Sequence, residues 1–449
     1  MKKYKYLSFL LVVTFLSAVV FSGNISSFAA QSDTPEWAVD NSWDKSAHTL
    51  TGANRPASYD LRNEGVVTPV KLQNPWGTCW SFGGIAAAEI SILSSLGVTY
   101  EQTNLDLSER HLAYFGNSAV TELESDSQAG EGTYIRSDDI NREFTSGDLG
   151  LFTTIFAQGV GPVAESMFPY RGANALYDSA TGTYSKNDDW SIPKTDEEGQ
   201  PNRLINGGFV LKNGNVLPAY WNENMTDFST GAEAIKQELL NGRGVSLQYF
   251  ADQSGTYCKS DSENGVLYAQ YQNNKVKSNH AVCIVGYDDN YKASNFTHTK
   301  DLRGNQLKGS DGNELTDEDA KALTTPPGDG AWIVKNSWGS NTDACVDDLG
   351  NTINNLNYGI KNSEGEYTGY FYLSYYDQTI DTTESMEFST NLAEYGEFMT
   401  MQYDYMPSLA KTFTLTPDTD VMSSANVFTA TTLWSSKVFP QVHQRRICA

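Results

Sequence analysis

Residues 72–90 read LQNPWGTCWSFGGIAAAEI. A Gly-containing turn gives way at Cys79 to a run of small and apolar residues. The spacing predicts a helix over 79–96 with Ile85, Ala88, Ile92 and Leu96 on one face, stopped by Gly97. Cys79 then sits in the first turn of that helix, six residues after Gln73. A helix N-terminus offers orphan N–H groups and the positive end of the dipole, both of which favour a thiolate. An ordinary thiol, with a pKa of about 8.5, is only a few per cent ionised at neutral pH. The helix end supplies about 0.3–1 kcal/mol, too little to ionise it alone. A nucleophile at this position therefore needs a charged partner.

The chain has five histidines. His48 lies in a polar N-terminal arm, His298 in a polar stretch and His443 in an atypical tail. His111 falls in the helical pattern LSERHLAYF and reads as structural. His280 alone opens a strongly apolar strand pattern, in SNHAVCIVGYDDN. Taken singly it reads more readily as a strand-edge histidine bonded to a carbonyl. A third segment, GAWIVKNSWGSN, places Asn336 directly after another apolar strand and two residues before Trp338. A side-chain amide accepts an imidazole N–H and holds the ring toward a thiol, and a neighbouring indole excludes water. The three residues carry together a meaning that none carries alone.

These segments resemble the papain-like cysteine peptidases. The resemblance rests on Gln73 and Cys79-Trp80-Ser81-Phe82, on His280-Ala281-Val282 with Val285-Gly286-Tyr287, and on Trp332 through Gly339. PASYDLRNEGVVTPVKLQ, ESMFPY, GVSL and TGYFYLSY fall in the family's order, so the likeness spans residues 56–377. It implies an α+β, two-lobed fold, a helical lobe beside an antiparallel β-barrel-like lobe, followed by a C-terminal β-rich segment. It also implies that Cys79 is the nucleophile, His280 the base and acid, and Asn336 the group orienting the histidine. Gln73 would join the Cys79 backbone N–H in an oxyanion hole. Gly147, Asn279 and Trp338 are the substrate-binding candidates. No cofactor and no metal is expected, and the partners are protein or peptide substrates.

Two departures stand out. Trp76 occupies the place of a disulfide cysteine found in many members, so packing must hold that turn. Cys79 and His280 are also further apart than the ~130–150 residues between such partners, and the polar stretch 173–205 absorbs much of the excess.

Around this centre the 449 residues divide into four expected parts. Residues 1–30 carry Lys2, Lys3 and Lys5, an apolar run over 7–21 and a Ser27-Phe28-Ala29 cleavage pattern, a secretory signal. Residues 31–55 form a short arm, 56–380 the peptidase domain, and 381–449 a partial β module. In that module MQYD and ANVFTA resemble the opening of a lectin-like domain, with cell-surface glycans as its expected partner. The closing SSKVFPQVHQRRICA abandons the acidic composition and reads as a truncated end.

A net charge of −24 disfavours nucleic acid and anionic membranes as partners. No apolar run of spanning length follows the signal, so a secreted or surface-associated protein is expected. Five cysteines make no dense disulfide framework, and Cys258, Cys283, Cys345 and Cys448 are left for pairing. An adhesin using the peptidase scaffold as a spacer is the main competing reading, and a thiol–disulfide oxidoreductase is disfavoured because PWGTC lacks a second cysteine. Further helices are expected over 148–158 and 232–241, and strands over 244–250, 281–287, 331–334 and 370–376. Thr316 is expected to cap a short helix within the polar stretch 288–330.

Overall fold

The computed structural model describes residues 55–73, 76–117, 151–157, 160–170, 177–178, 183–184, 208–252, 254–260, 268–341, 358–389, 398–401 and 411–414. The signal segment, nearly all of the arm, Gly147, Cys345 and Cys448 lie outside these residues. In chain order the strands are β1 (Ser58–Asp60), β2 (Tyr177–Asp178), β3 (Thr183–Tyr184), β4 (Val210–Val216), β5 (Val245–Tyr249), β6 (Cys258–Ser260) and β7 (Tyr268–Gln270). They continue with β8 (His280–Asp288), β9 (Ala331–Lys335), β10 (Tyr370–Ser374), β11 (Thr383–Ser389), β12 (Phe398–Met401) and β13 (Lys411–Thr414). The helices are α1 (Cys79–Leu96), α2 (Tyr100–Thr103), α3 (Glu109–Asn117), α4 (Leu151–Ala157), α5 (Ser229–Leu240) and α6 (Asp317–Thr324).

Helices and a large, mostly antiparallel sheet make this an α+β fold. The strand order is β4-β11-β5-β8-β9-β10-β7-β6, with β1 added to β8. Among the described strands only β10 and β7 pair in parallel. β8 and β9 carry Val, Ile, Ala and aromatic residues on both faces and are buried almost throughout, as central strands require. Because they run antiparallel, with Cys283 opposite Lys335, the start of β8 and the end of β9 meet at one end of the sheet. His280, the first residue of β8, and Asn336, the residue after β9, are delivered there by register alone.

α1 lies against β8, β11 and β5 on one side and α3 and α4 on another. The expected one-faced helix is instead buried all round from Trp80 to Leu93. Its small residues permit this. A Cβ on Gly83 would sit 3.1 Å from the Val282 carbonyl oxygen, and one on Gly84 would sit 2.7 Å from the Phe152 ring. Its length and apolarity suit a membrane span, but 78% burial within the fold makes it a core helix.

The other elements follow their local chemistry. α5 begins three residues before the expected start, because the Asp227 carboxylate accepts from the Ser229 N–H at 2.9 Å. Thr316 caps α6 as read, its Oγ1 accepting from the Asp319 N–H at 3.2 Å. β10 ends two residues early, where Asp377 turns back on Ser374. β11 pairs with both β4 and β5, so the large sheet continues past the boundary expected at residue 380. Within the expected β module, β12 and β13 form a separate two-stranded sheet.

Candidate active site

Cys79 opens α1 after Thr78, whose side chain makes no capping bond to the helix. The Thr78 hydroxyl donates instead to the Tyr170 phenol at 2.7 Å, and that phenol donates to the Gln73 carbonyl at 2.8 Å. Tyr170 thus ties the turn before the helix to the segment carrying Gln73. The Cys79 sulfur accepts the backbone N–H of Ala281, the residue next to His280. Burial pushes the Cys79 thiol up, while the N–H groups of Ala281, Trp80 and Cys79 itself pull it down.

His280 and Asn336 are both buried, and Nε2 of the ring lies 2.8 Å from Oδ1 of the amide. The Ser337 N–H donates to the same Oδ1 at 2.8 Å, which identifies that end of the amide as oxygen. Nε2 therefore carries the proton in the bond to Asn336. Nδ1 keeps its lone pair and is the ring's basic nitrogen. Trp338 stacks on the imidazole with centroids 4.7 Å apart at 30°, and Tyr358 meets Trp338 edge-on at 4.9 Å. Burial brings the His280 pKa down to about 4, against the raising effect of the Asn336 bond.

The surroundings of Cys79 and of His280 each favour the uncharged form. A thiolate–imidazolium pair here would draw its stabilisation from mutual attraction. Two unit charges ~4 Å apart at an effective dielectric of ~20 attract by about 4 kcal/mol, worth roughly three pKa units.

Gln73 is fixed at both ends. Its N–H donates to the Ser337 carbonyl at 2.8 Å, its Oε1 accepts from the Ser337 hydroxyl at 2.7 Å, and its Nε2 donates to the Trp76 carbonyl at 3.0 Å. Trp76 packs half-buried against the core, as expected of a turn without the cross-link.

Gln73, Cys79, His280, Asn336 and Trp338 are thus assembled around the start of α1 and the adjoining ends of β8 and β9. Asn279 is next to them, but its side chain clamps Ala251, accepting from that N–H at 2.8 Å and donating to its carbonyl at 3.3 Å. His111 is structural, buried between Phe115 and Phe168. Tyr170 and Ser337 join the site without having been singled out from sequence. Ser337 stands inside the NSWG segment and Tyr170 closes the ESMFPY segment, so a signal was present for both. Among the described residues no cluster of His, Cys, Asp and Glu suited to a metal occurs, and Cys283 is a free thiol.

Residues 55–114 match the model of the papain family cysteine proteases. Peptidase 1 of Dermatophagoides farinae is 42% identical over 67 residues, which cover 15% of this chain and 19% of that protein. Cysteine proteinase 1 of Entamoeba histolytica is 26% identical over 233 residues, 52% of this chain and 55% of that protein. The chain therefore spans at most about half the length of these curated relatives. Solved structures with a similar course include the cysteine protease and lectin-like domains of Cwp84, a surface layer associated protein of Clostridium difficile. That match has a TM-score of 0.45 at 22% identity and covers 80% of this chain and 57% of that one. A recombinant stem bromelain precursor matches with a TM-score of 0.34 at 18% identity, over 74% of this chain and 70% of that one. Residues 55–114 thus carry the signature of the papain family of cysteine proteases, and His280 and Asn336 lie outside the matched segment.

Proposed function

We propose that the chain is an exported cysteine endopeptidase that hydrolyses peptide bonds through Cys79, His280, Asn336 and Gln73. The observation carrying this reading is the 2.8 Å bond from His280 Nε2 to Asn336 Oδ1 beneath the Trp338 ring, beside a cysteine at the start of a buried helix.

The chemistry follows from which atoms are left over. With Nε2 bonded to Asn336, Nδ1 takes the thiol proton, and the Cys79 sulfur attacks the substrate carbonyl carbon. The developing oxyanion is met by the second Nε2 hydrogen of Gln73 and the Cys79 backbone N–H. Collapse of the tetrahedral adduct breaks the C–N bond as Nδ1–H protonates the leaving amine, leaving a thioester on Cys79. A water, deprotonated at Nδ1, attacks that thioester, and collapse returns the proton to the thiolate.

Export rests on the residue 1–30 pattern, and glycan binding on the MQYD and ANVFTA segments of the C-terminal module. Cleavage of an unfolded protein by the purified chain tests the reading, with Cys79→Ala and His280→Ala as controls. Turnover that survives Cys79→Ala would overturn it, as would a correctly folded wild type that cleaves nothing.

A further inference from the structure

The segment leading into α1 carries both proposed oxyanion donors, Gln73 Nε2 at its start and the Cys79 N–H at its end. Ser337 holds the Gln73 amide oxygen and backbone N–H. Two further groups converge on the Gln73 carbonyl. The Trp76 N–H donates to it at 3.0 Å, and the Tyr170 phenol donates to it at 2.8 Å. The same phenol oxygen accepts the Thr78 hydroxyl at 2.7 Å. A phenol has one proton and a carbonyl can only accept, so the direction of both bonds is fixed. One oxygen atom therefore spans the segment from residue 73 to residue 78, the neighbour of the nucleophile.

Tyr170 is itself held on two sides. Its ring meets Phe82 edge-to-face with centroids 4.8 Å apart, which seats it near the start of α1. Its N–H donates to the Glu165 carboxyl, and the Glu165 N–H donates to the Asp106 carbonyl at 2.9 Å. The ring is half-buried, but its hydroxyl reaches Thr78 and Gln73, which are both buried. Burial pushes the phenol pKa well above its ordinary value, against the Thr78 bond and with Glu109, Glu165 and the Cys79 sulfur. The group thus stays a donor throughout the neutral range.

We propose that Tyr170 is a positioning residue for the oxyanion hole: its phenol oxygen braces Gln73 against Thr78 and so sets the separation of Gln73 Nε2 from the Cys79 N–H. The proposal rests on the endopeptidase reading above. Ser337 orients the side-chain amide, whereas Tyr170 places the backbone from which that side chain springs. Tyr170 acts through Gln73 and Thr78 rather than on the substrate. Removing an oxyanion donor costs about 10²–10³ in kcat, and a donor displaced but still present costs less.

Tyr170→Phe keeps the ring and removes only the brace. On a fluorogenic peptide it should lose about tenfold in kcat, equivalent to ~1.4 kcal/mol, with KM changed by less than about twofold. Iodoacetamide alkylation of Cys79 displaces iodide from a saturated carbon and builds no oxyanion, so its rate at pH 6 should stay within about twofold of wild type. The double variant Gln73→Ala/Tyr170→Phe should turn over no more than about twofold slower than Gln73→Ala alone, because the brace acts through Gln73. Should Tyr170→Phe fail to fold, Thr78→Val removes the other bond to the same oxygen and is read in the same three ways. An unchanged kcat, a parallel loss of turnover and alkylation, or losses that multiply in the double variant overturn the brace. A folded wild type that cleaves no peptide sinks the endopeptidase reading, and the brace falls with it. A wild type that cleaves no faster than Tyr170→Phe sinks only the brace.

Discussion

Replacing Lys71 by methionine removes a cation that joins the segment before Gln73 to α1 and α3. Its Nζ lies 3.1 Å from Glu89, 2.9 Å from Glu109, 2.7 Å from Asp106 and 2.9 Å from the Leu107 carbonyl. The Glu89 and Glu109 side chains are only 1% and 2% exposed, so the variant leaves two desolvated carboxyls without their partner. Breaking a buried pair in this way costs about 3–5 kcal/mol. Relief comes from protonation. Burial already holds the Glu109 carboxyl well above the usual range and raises Glu165 to about 7.

An acid raised in the folded state contributes stability below its unfolded pKa and loses it as pH rises through the folded value. For Glu165 that window runs from 4.5 to about 7. Without Lys71 the folded values rise further, so the variant falls further behind the wild type as pH increases. We expect a loss of about 3 kcal/mol at pH 8 and about 1–2 kcal/mol at pH 5. Urea unfolding of both proteins at the two pH values measures this. A loss below about 1 kcal/mol at pH 8, or a larger loss at pH 5 than at pH 8, would refute the reasoning.

Two further outcomes follow from the site. Ser337→Ala removes the hydroxyl that donates to Gln73 Oε1 and should lower kcat by about tenfold with little change in KM, since one hydrogen bond of about 1–1.5 kcal/mol positions the side chain proposed as oxyanion donor. Steady-state kinetics on a peptide substrate decides this, and an unchanged kcat contradicts it. In Cys79→Ala, where no sulfur can pair with the ring, burial holds His280 neutral with its pKa down to about 4, so the ring contributes stability that is full above the unfolded value of 6.5 and lost as pH falls through 4. The loss is worth about 3 kcal/mol, and urea titrations of Cys79→Ala and the double variant Cys79→Ala/His280→Gln from pH 7 to 4 should diverge by that amount in favour of the double variant. Parallel curves would show that the ring is not desolvated.

Residues that announce themselves locally were legible in the sequence. Cys79 stands at a change of pattern, His280 opens an apolar strand, Asn336 follows one, and Thr316 precedes a capped helix. Each depends on neighbours within a few positions. Tyr170 acts on Gln73 from 97 residues away and Ser337 from 264, and no periodicity encodes such contacts. The all-round burial of α1 escaped notice because Glu89 and Ser91 mark a solvent face in isolation, whereas here Glu89 meets Lys71 and Thr68. β11 has the same polar alternation as the stretch after it, and only its pairing with β4 and β5 assigns it to the large sheet.

The reactivity of the Cys79 sulfur tests the central claim most directly. Alkylation by iodoacetamide, followed by mass spectrometry from pH 5 to 9, compares it with Cys283, whose thiol burial pushes up to about 12. A sulfur sharing its proton with His280 should react at pH 6 at least ~100-fold faster than Cys283 and slow by more than ~10-fold in His280→Ala. Reaction that begins only as pH passes the ordinary thiol range of about 8.5, and that ignores His280→Ala, would contradict the account.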